Sequence, residues 1–410
     1  MSNSFKVIDM VTREALRIAH EKLSFIGTID RQYDDSFKNS GGKTGSSLRV
    51  REPNQYTRRQ GSRVMDVQDQ TETSQTITVA TQDGVDMRFN SAELIQSVNS
   101  DGAFNDFSKN YIAPAVATMC SGIESDFLAF CTKATYNTAG TAGTPPTDLV
   151  AIGAARAKLN QYLAPKDGNR FVQMDSVTMG GMVNGLKGLF QDSSQIKQQY
   201  REGMIGRTGM ADFYENERVW TMTNGSDVTG TTDAAALVTD GGSTVDMHTT
   251  VAVTAQKVGQ VFTIAGVYAC HPETKAAYAS LQQFTITAIG ATTTTVSPTI
   301  YLTGAKKNVV SSTGATLLTT DFNSQTLTFV GAASTSYTQN LMYHKEAYQF
   351  ITADLPLMDD ANKCVRRSQD GLSLRVWQAS DIRNDELLMR IDILYGMAAL
   401  RPQWGCRITN

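Results

Sequence analysis

Apolar residues recur at helical spacing in the first part of the chain. Between Val7 and Ile26 they return every three or four positions, with charged residues between them, which predicts an amphipathic helix. The stretch from Asp34 to Ser47 contains glycine and is too polar to pack alone. We expect a mobile arm or hinge there, whose order depends on a partner.

Two segments, 47–53 and 75–81, alternate in side-chain character with the period of a β-strand. The polar segment between them predicts the tip of a long hairpin. A two-stranded ribbon is only marginally stable in water unless it lies on another surface. We therefore expect this hairpin to dock on a neighbouring surface, for which another subunit is a candidate.

A long helical pattern runs from Asn90 to Ala134, and Pro114 interrupts it. Because proline inside a helix removes a donor and clashes with the preceding turn, we expect a regular helix only over Ala115–Cys131. The linker 137–146 that follows is rich in turn-forming residues and marks a boundary between substructures.

Beyond this linker, helical and strand patterns alternate. Thr147 or Asp148 is placed to cap a helix that runs to Leu163, and a strand at 171–174 precedes a second predicted helix over Ser176–Leu186. This alternation favours an α+β arrangement.

The composition changes sharply between Thr223 and Thr338, where charged residues are sparse and Thr, Ser, Gly, Ala and Val dominate. Short strand patterns separated by turn residues predict a separate all-β module, either a small barrel or a sandwich. After the module, 340–357, 372–377 and 386–400 are expected to complete the sheets that it interrupts. The strands predicted within the module are 251–254, 261–267, 284–288, 299–302 and 325–330.

The overall composition is that of an ordinary globular protein. The chain has 410 residues, 41% of them hydrophobic and 19% charged, which is enough to bury more than one core. Its net charge of -3 provides no overall attraction to nucleic acid or to an anionic membrane. The five cysteines are scattered without CxxC spacing, so we expect free thiols in a reducing compartment. No stretch approaches the ~20 apolar residues that cross a bilayer, and we expect no membrane association.

Motifs for catalysis and cofactor binding are missing from the sequence. Gly41–Thr44 is the nearest approach to a phosphate-binding P-loop, but Phe37 stands where the motif requires glycine. There is no GxSxG or HExxH motif, and the four histidines do not cluster with carboxylates at ligand spacing. His344 is adjacent to Lys345 and Glu346, but without a nucleophile it is better interpreted as a surface or hydrogen-bonded core histidine. We predict no enzyme activity, no metal and no cofactor.

Basic and acidic residues are separated along the predicted hairpin. One limb is basic and the next is acidic, an arrangement that suits ion pairing between subunits. Phosphate contact through the arginines is the alternative, but few aromatic residues lie between them and an acidic run follows. The candidate subunit-contact residues are Arg49, Arg51, Arg58, Arg59, Arg63, Asp66, Asp69 and Glu72.

Three separated stretches resemble the coat proteins of tailed bacteriophages, which share the HK97 capsid fold. Arg201–Asn216 (REGMIGRTGMADFYEN) resembles the turn of their A-domain, and Asn340–Leu357 (NLMYHKEAYQFITADLPL) resembles the segment where the A-domain chain returns. Met389–Ile408 (MRIDILYGMAALRPQWGCRI) is similar to their closing strand and C-terminal segment. Gly259–Thr287 is similar to the domain inserted in the P22 branch of the family. The succession of these stretches also follows the family's order.

The resemblance implies an α+β, HK97-like capsid fold with an inserted all-β barrel. The pair of residues that forms an isopeptide cross-link in some relatives is not recognisable here, so we make no prediction about covalent cross-linking. The implied domains are an N-terminal arm (1–46), an extended β-hairpin (47–89), a peripheral domain with a spine helix (90–136 and 365–410), an axial domain (137–222 and 339–364) and the inserted barrel (223–338).

The same resemblance implies a major capsid protein that self-assembles, as hexamers and pentamers, into an icosahedral shell around the phage genome. It further implies a scaffolding protein and a portal as partners, only non-specific contact with packaged double-stranded DNA, and a place in the virion after assembly in the host cytoplasm. Two alternatives stay open. One is a decoration or tail component whose β module is a binding head, and the other is a nucleic-acid-binding protein that uses the arginines.

Overall fold

The computed structural model describes most of the chain, and its residues form two compact units. The polar stretch predicted as a mobile arm or hinge lies outside the described residues over 34–46, as do the candidate contact residues Asp66 and Asp69. The first unit comprises Met1–Val50, Ser74–Phe127 and Tyr348–Leu400, and the second comprises Arg51–Thr73, Leu128–Ala347 and Arg401–Asn410. The described residues are 11–19, 23–31, 47–59, 61, 63–65, 67–68, 72–90, 108–186, 206–233, 238–249, 255–290, 293–358, 363–369 and 372–410.

Helices and strands alternate in both units, which confirms the α+β class. The helices are α1 (residues 11–19), α2 (Ser24–Thr28), α3 (Ala113–Ala134), α4 (Leu149–Gln161) and α5 (Ser176–Leu186). The strands are β1 (Ser47–Arg51), β2 (Ser74–Thr78), β3 (Thr81–Asn90), β4 (Thr138–Ala139), β5 (Arg170–Met174), β6 (Arg207–Thr208), β7 (Ala211–Glu215), β8 (Thr221–Thr223), β9 (Thr229–Thr232), β10 (Gly242–Thr249), β11 (Val261–Cys270), β12 (Ala277–Ile289), β13 (Thr293–Ile300), β14 (Val309–Val310), β15 (Thr326–Phe329), β16 (Ser336–His344), β17 (Gln349–Ala353), β18 (Lys363–Gln369), β19 (Leu372–Asp381), β20 (Glu386–Ala398) and β21 (Gly405–Thr409).

The first unit is organised around β20, a strand that the sequence predicted and the structure confirms. β20 pairs antiparallel with β19, β17 and β3, and β18 continues the sheet beyond β19. On one face of this sheet, alternate residues of β19 and β20 are apolar and buried, among them Leu374, Val376, Ile391 and Ile393, and the residues between them include the buried ion pair Arg375–Asp392. This two-residue alternation is the pattern expected of a strand with one face in a core.

Helix α3 begins beside the proline that interrupts the sequence pattern. Pro114 lies in its first turn, where the missing N–H costs no hydrogen bond within the helix. A π-helical turn, Ser108–Ile112, precedes it. The regular helix predicted over Ala115–Cys131 is confirmed, and the part of the prediction at 91–107 lies outside the described residues.

The N-terminal helices pack on α3 within the first unit. Glu124 is fully buried, and its Oε1 accepts hydrogen bonds from the Phe25 backbone N–H at 2.6 Å and from Ser24 Oγ at 2.9 Å. The Phe25 ring centroid lies 5.3 Å from that of Phe127, which in turn lies 5.5 Å from that of Phe350. The start of α2 is therefore held by both a buried carboxylate and an aromatic cluster.

The second unit contains a mixed sheet covered by α4 and α5. Its strand order is β4-β21-β16-β5-β7-β6, and β8 pairs with the first residues of β16. Asp148 caps α4, because its Oδ1 accepts from the Val150 N–H at 3.0 Å. The structure thereby selects Asp148 over Thr147. Ile152, Leu159, Val172 and Met182 belong to the core between helices and sheet.

The inserted β module is a closed six-stranded barrel. Its strands follow the order β12-β13-β10-β9-β15-β11, and pairing of β11 with β12 closes the ring. A separate core that includes Phe262, Phe284 and Phe322 fills its interior. The strands predicted at 261–267, 284–288 and 325–330 are confirmed, and 251–254 lies outside the described residues.

Threonine-rich strands of the barrel were missed or misplaced by the sequence analysis. β9 and β10 were not predicted, and the strand predicted at 299–302 is the end of β13. Thr232 and Thr294 are buried in these strands, and their hydroxyls donate to backbone carbonyl oxygens. Threonine is β-branched and fits a strand, yet its hydroxyl makes such segments resemble polar loops. The five-part division into domains stays a prediction.

Candidate assembly surface

The base of the predicted hairpin docks on the subunit's own sheet. β1 and β2 pair with each other, and Val50, Ile77 and Val79 pack against Ile351 and Ala353. The period-two pattern of 47–53 and 75–81 places these apolar side chains on one face. The surface expected beneath the ribbon is therefore supplied at its base by the same chain.

Beyond the base, the two limbs of the hairpin stay connected. The Glu52 N–H donates to Thr73 O at 2.9 Å, and Thr73 Oγ1 donates to a Glu52 carboxylate oxygen at 2.8 Å. Farther out, the Gln68 side-chain amide bonds both the N–H and the carbonyl of Thr57, at 2.8 and 2.7 Å. Lys306 of the barrel donates to Thr73 Oγ1 at 2.9 Å. These contacts hold the limbs together without a core of their own.

The structure brings together only one ion pair among the candidate contact residues that it describes. Arg51 lies 3.6 Å from Glu72, and both side chains are exposed. Such an exposed pair contributes only ~0 to 1 kcal/mol. Arg59 donates to the carbonyl oxygen of Val64. The side chains of Arg49, Arg58, Arg59 and Arg63 are exposed along the hairpin.

An apolar patch at the hairpin tip was missed by the sequence analysis. Val64, Met65 and Val67 are 77%, 77% and 78% exposed, and Tyr56 is 57% exposed. Single exposed apolar residues are common on protein surfaces, whereas a larger exposed apolar patch is typical of contact sites. The signal was present as VMDV, Val64–Val67, between charged and polar neighbours. The charged residues on either side make the segment polar on average, which hides this signal in the sequence.

The histidine considered for acid–base chemistry is a buried, hydrogen-bonded residue. His344 Nε2 lies 3.0 Å from Asp167 Oδ1, and its Nδ1 accepts from the Glu346 N–H at 3.3 Å. The second contact leaves the proton of the neutral ring on Nε2, which donates to Asp167. Hydrogen bonds from the Asn169 backbone N–H, from its side chain and from His344 lower the pKa of Asp167 to about 2. Both nitrogens of the ring have partners within the fold.

The cysteines are free thiols, as expected, and four of the five are buried. Burial raises the pKa of Cys131 and raises that of Cys406 to about 12. The described part of the chain holds no group of three or more His, Cys, Asp or Glu side chains placed to bind a metal ion. None of its helices is long and apolar enough to cross a membrane.

Comparison with known proteins identifies the family. The model of the family described as "P22 coat protein - gene protein 5" matches residues 43–409, which is most of the chain. The chain belongs to the P22 coat protein family. As a member of this family it is a major capsid protein, a subunit that associates with other copies of itself to form the shell of a phage virion.

Solved structures similar to this coat protein come from phages and from a virus-like particle. One is from Mycobacterium phage Che8, with 10% identity, a TM-score of 0.47 and coverage of 92% of this chain and 89% of that chain. Another is from the capsid of the cyanophage P-SCSP1u, with 8% identity, a TM-score of 0.42 and coverage of 89% and 83%. A virus-like particle from Pyrococcus furiosus gives 6% identity, a TM-score of 0.40 and 98% coverage of both chains. A comparison with curated protein sequences found no match.

The family assignment decides between the functions left open by the sequence. A shell subunit is selected over a decoration or tail component and over a nucleic-acid-binding protein. The resemblance to coat proteins with an inserted domain is confirmed, and the closed barrel lies in the predicted module.

Proposed function

We propose that the coat protein builds its shell from hexamers and pentamers in which the hairpin of one subunit lies on the next. One polypeptide closes such rings when each subunit presents two different surfaces that mate head to tail. The hairpin beyond its base, residues 51–73, presents exposed arginines and an exposed apolar tip. This exposed tip is the observation that carries the proposal.

The apolar tip and the arginines contribute differently to this contact. Burying a valine or methionine side chain stabilises a contact by about 1.5–3 kcal/mol, whereas an exposed ion pair adds ~0 to 1 kcal/mol. Val64, Met65 and Val67 would therefore supply most of the affinity. Arg58, Arg59 and Arg63, with Arg49 and the acidic residues of the next limb, would set orientation by pairing with charges on the neighbour.

Surface substitutions test this contact. We expect Val64→Asp with Met65→Asp, and separately Arg58→Glu with Arg59→Glu, to reduce the yield of closed particles while unassembled subunits stay folded. Val150→Asp is the matched control, because Val150 is 74% exposed on α4. The measurements are negative-stain microscopy for particles and circular dichroism for folding. Unchanged yield and particle size in both double variants would refute the hairpin contact.

We propose further that this coat protein has no enzymatic activity and assembles in the host cytoplasm with a scaffolding protein and a portal. Its contact with packaged double-stranded DNA would be non-specific. Family membership supports these partners. Expression with and without a scaffolding protein, followed by microscopy, tests that partner.

Salt-insensitive or sequence-specific binding of isolated subunits to DNA would contradict the non-specific DNA contact.

A further inference from the structure

The barrel meets the rest of the second unit along β12 through polar side chains. Tyr278 Oη donates to Gln161 O at 3.0 Å, and Tyr162 Oη donates to Gln282 Oε1 at 3.0 Å. The side-chain amide of Gln283 bonds both the N–H and the carbonyl of Thr138, at 3.0 and 3.2 Å. We call these contacts, together with those of Thr285 on the same strand, the barrel seam.

Arg407 lies at one end of the barrel seam and binds both of its sides. On the body side, its Nε donates to Thr135 O at 2.7 Å and its Nη2 to Lys133 O at 3.2 Å. These carbonyls are at the C-terminal end of α3, where helices leave acceptors unpaired and favour a cation. On the barrel side, Nη1 donates to Gly259 O at 2.6 Å and Nη2 to Thr285 Oγ1 at 2.9 Å.

The backbone around Gly259 is fitted to this contact. Its φ is +97°, which favours glycine, and a Cβ there would lie 2.7 Å from the Trp220 ring and 3.1 Å from Lys133 Cγ. The Lys133 ammonium lies 5.2 Å from the centroid of the same ring. Only a residue without a side chain lets the carbonyl reach Arg407 at this point.

The barrel seam is separate from the two hydrophobic cores that the described residues of the second unit form. The barrel core includes Phe262 and Phe329, and the core of the mixed sheet includes Val172 and Cys406, but neither contains the seam residues. The chain enters and leaves the barrel through the antiparallel pair β8–β16. Opening the seam would therefore break hydrogen bonds and expose neither core, while the two-strand connection stays intact.

We propose that Arg407 is the positioning residue of the barrel, and that without its guanidinium the barrel pivots on β8–β16 while both cores stay folded. Arg407 is 1% exposed, and a buried guanidinium is costly unless its donors are satisfied. The planar guanidinium has five N–H donors and reaches acceptors on both sides of the seam at once, which a lysine ammonium cannot do. Correct contacts between subunits then require the barrel in this one orientation.

Hydrogen exchange of the full-length, unassembled subunit tests the proposal with Arg407→Lys. We expect amides at 135–138 and 257–260 to exchange at least about tenfold faster than in the wild type, and those of β5 and β15 to change less than about twofold. The yield of closed particles should fall. Arg170→Lys is the matched control, because Arg170 is equally buried and donates to Ala164 O and Pro165 O within the body.

Two outcomes would overturn the assignment. Wild-type exchange at the seam in Arg407→Lys would show that the guanidinium does not hold it. Faster exchange in the core strands as well would show a general loss of stability. If Arg407→Lys fails to fold, Gln283→Met combined with Thr285→Val removes seam contacts, one of them to Arg407, and leaves the Arg407 bond to Gly259 in place. Amides at 135–138 should then exchange faster while those at 257–260 stay near the wild-type rate, and equal acceleration of both segments would refute a positioning role of Arg407.

Discussion

A buried carboxylate shows how a single residue can hold a terminal segment. Glu124 accepts hydrogen bonds from Phe25 and Ser24 at the start of α2, a position from which water is excluded. The first N–H groups of a helix have no partner within the helix, and a negative charge beside them is favourable. Without this acceptor, the Phe25 N–H would lose a partner in the interior of the first unit.

Glu124→Leu should therefore destabilise the subunit by about 2–3 kcal/mol, the cost of leaving a buried donor without its charged acceptor. Urea unfolding of unassembled subunits, followed by circular dichroism, measures this loss. Glu14→Leu is the control, because the half-buried Glu14 pairs with the exposed Arg17, and the loss of such a pair should change stability by less than about 1 kcal/mol. Equal effects of the two substitutions would contradict the role given to Glu124.

At the scale of elements, a close backbone approach connects the hairpin base to the sheet of the first unit. A Cβ at Gly396 in β20 would overlap the carbonyl oxygen of Thr78 and lie 3.1 Å from the Cα of Val79. The glycine lets β2 lie directly against β20, so Val79 can join the small core that includes Ile351. Any side chain at this position would push the ribbon away from the sheet.

Gly396→Ala should lower the stability of the subunit by about 1–3 kcal/mol, because the backbone has to move to accept the methyl group. It should also speed proteolysis within 47–78. Gly153→Ala in α4 is the opposite control, since a Cβ there meets nothing within 4 Å and alanine favours a helix by about 0.5–1 kcal/mol. Stabilisation by both substitutions, measured by thermal unfolding, would rule out the close approach.

The elements that sequence analysis predicted correctly are those with a clear period. α5 and β20 have the predicted starts, and α3 begins at Ala113, next to Pro114, because local spacing and proline chemistry determine these features. β9 and β10 were not predicted, because a buried strand rich in threonine has the same amino-acid composition as an exposed turn. The contacts of Arg407 with Thr135 and Gly259 join residues far apart in sequence, and no local pattern predicts them.

At the scale of the whole molecule, the inserted barrel has the properties of an independent folding unit. Its sheet is closed, its core is separate, and one pair of strands, β8–β16, connects it to the remainder of the second unit. Since each core is complete without the other, we expect the barrel to fold cooperatively without the rest of the chain.

Residues 223–338 expressed alone should fold, with dispersed amide signals in NMR and a single cooperative thermal transition. Phe262→Ala in this fragment should cost about 3–5 kcal/mol, because Phe262 is fully buried between Phe284 and Phe329. Thr285→Val should leave the fragment's stability nearly unchanged, since the Arg407 partner of that hydroxyl is absent. Poorly dispersed amide signals in the NMR spectrum of the fragment would contradict independent folding of the barrel.

The β11–β12 pairing, which closes the barrel, matters when many copies of the protein are packed close together. An open sheet ends in a row of unpaired N–H and C=O groups that recruits further strands from any nearby molecule. Among the described residues, each of the six barrel strands pairs with a neighbour on both sides, so neighbouring copies packed at high density find no edge strand of the ring to add to. Contacts between the barrel and its neighbours must therefore be made by side chains, which are specific for the correct partner. The barrel offers no template on which strands could add to form fibres.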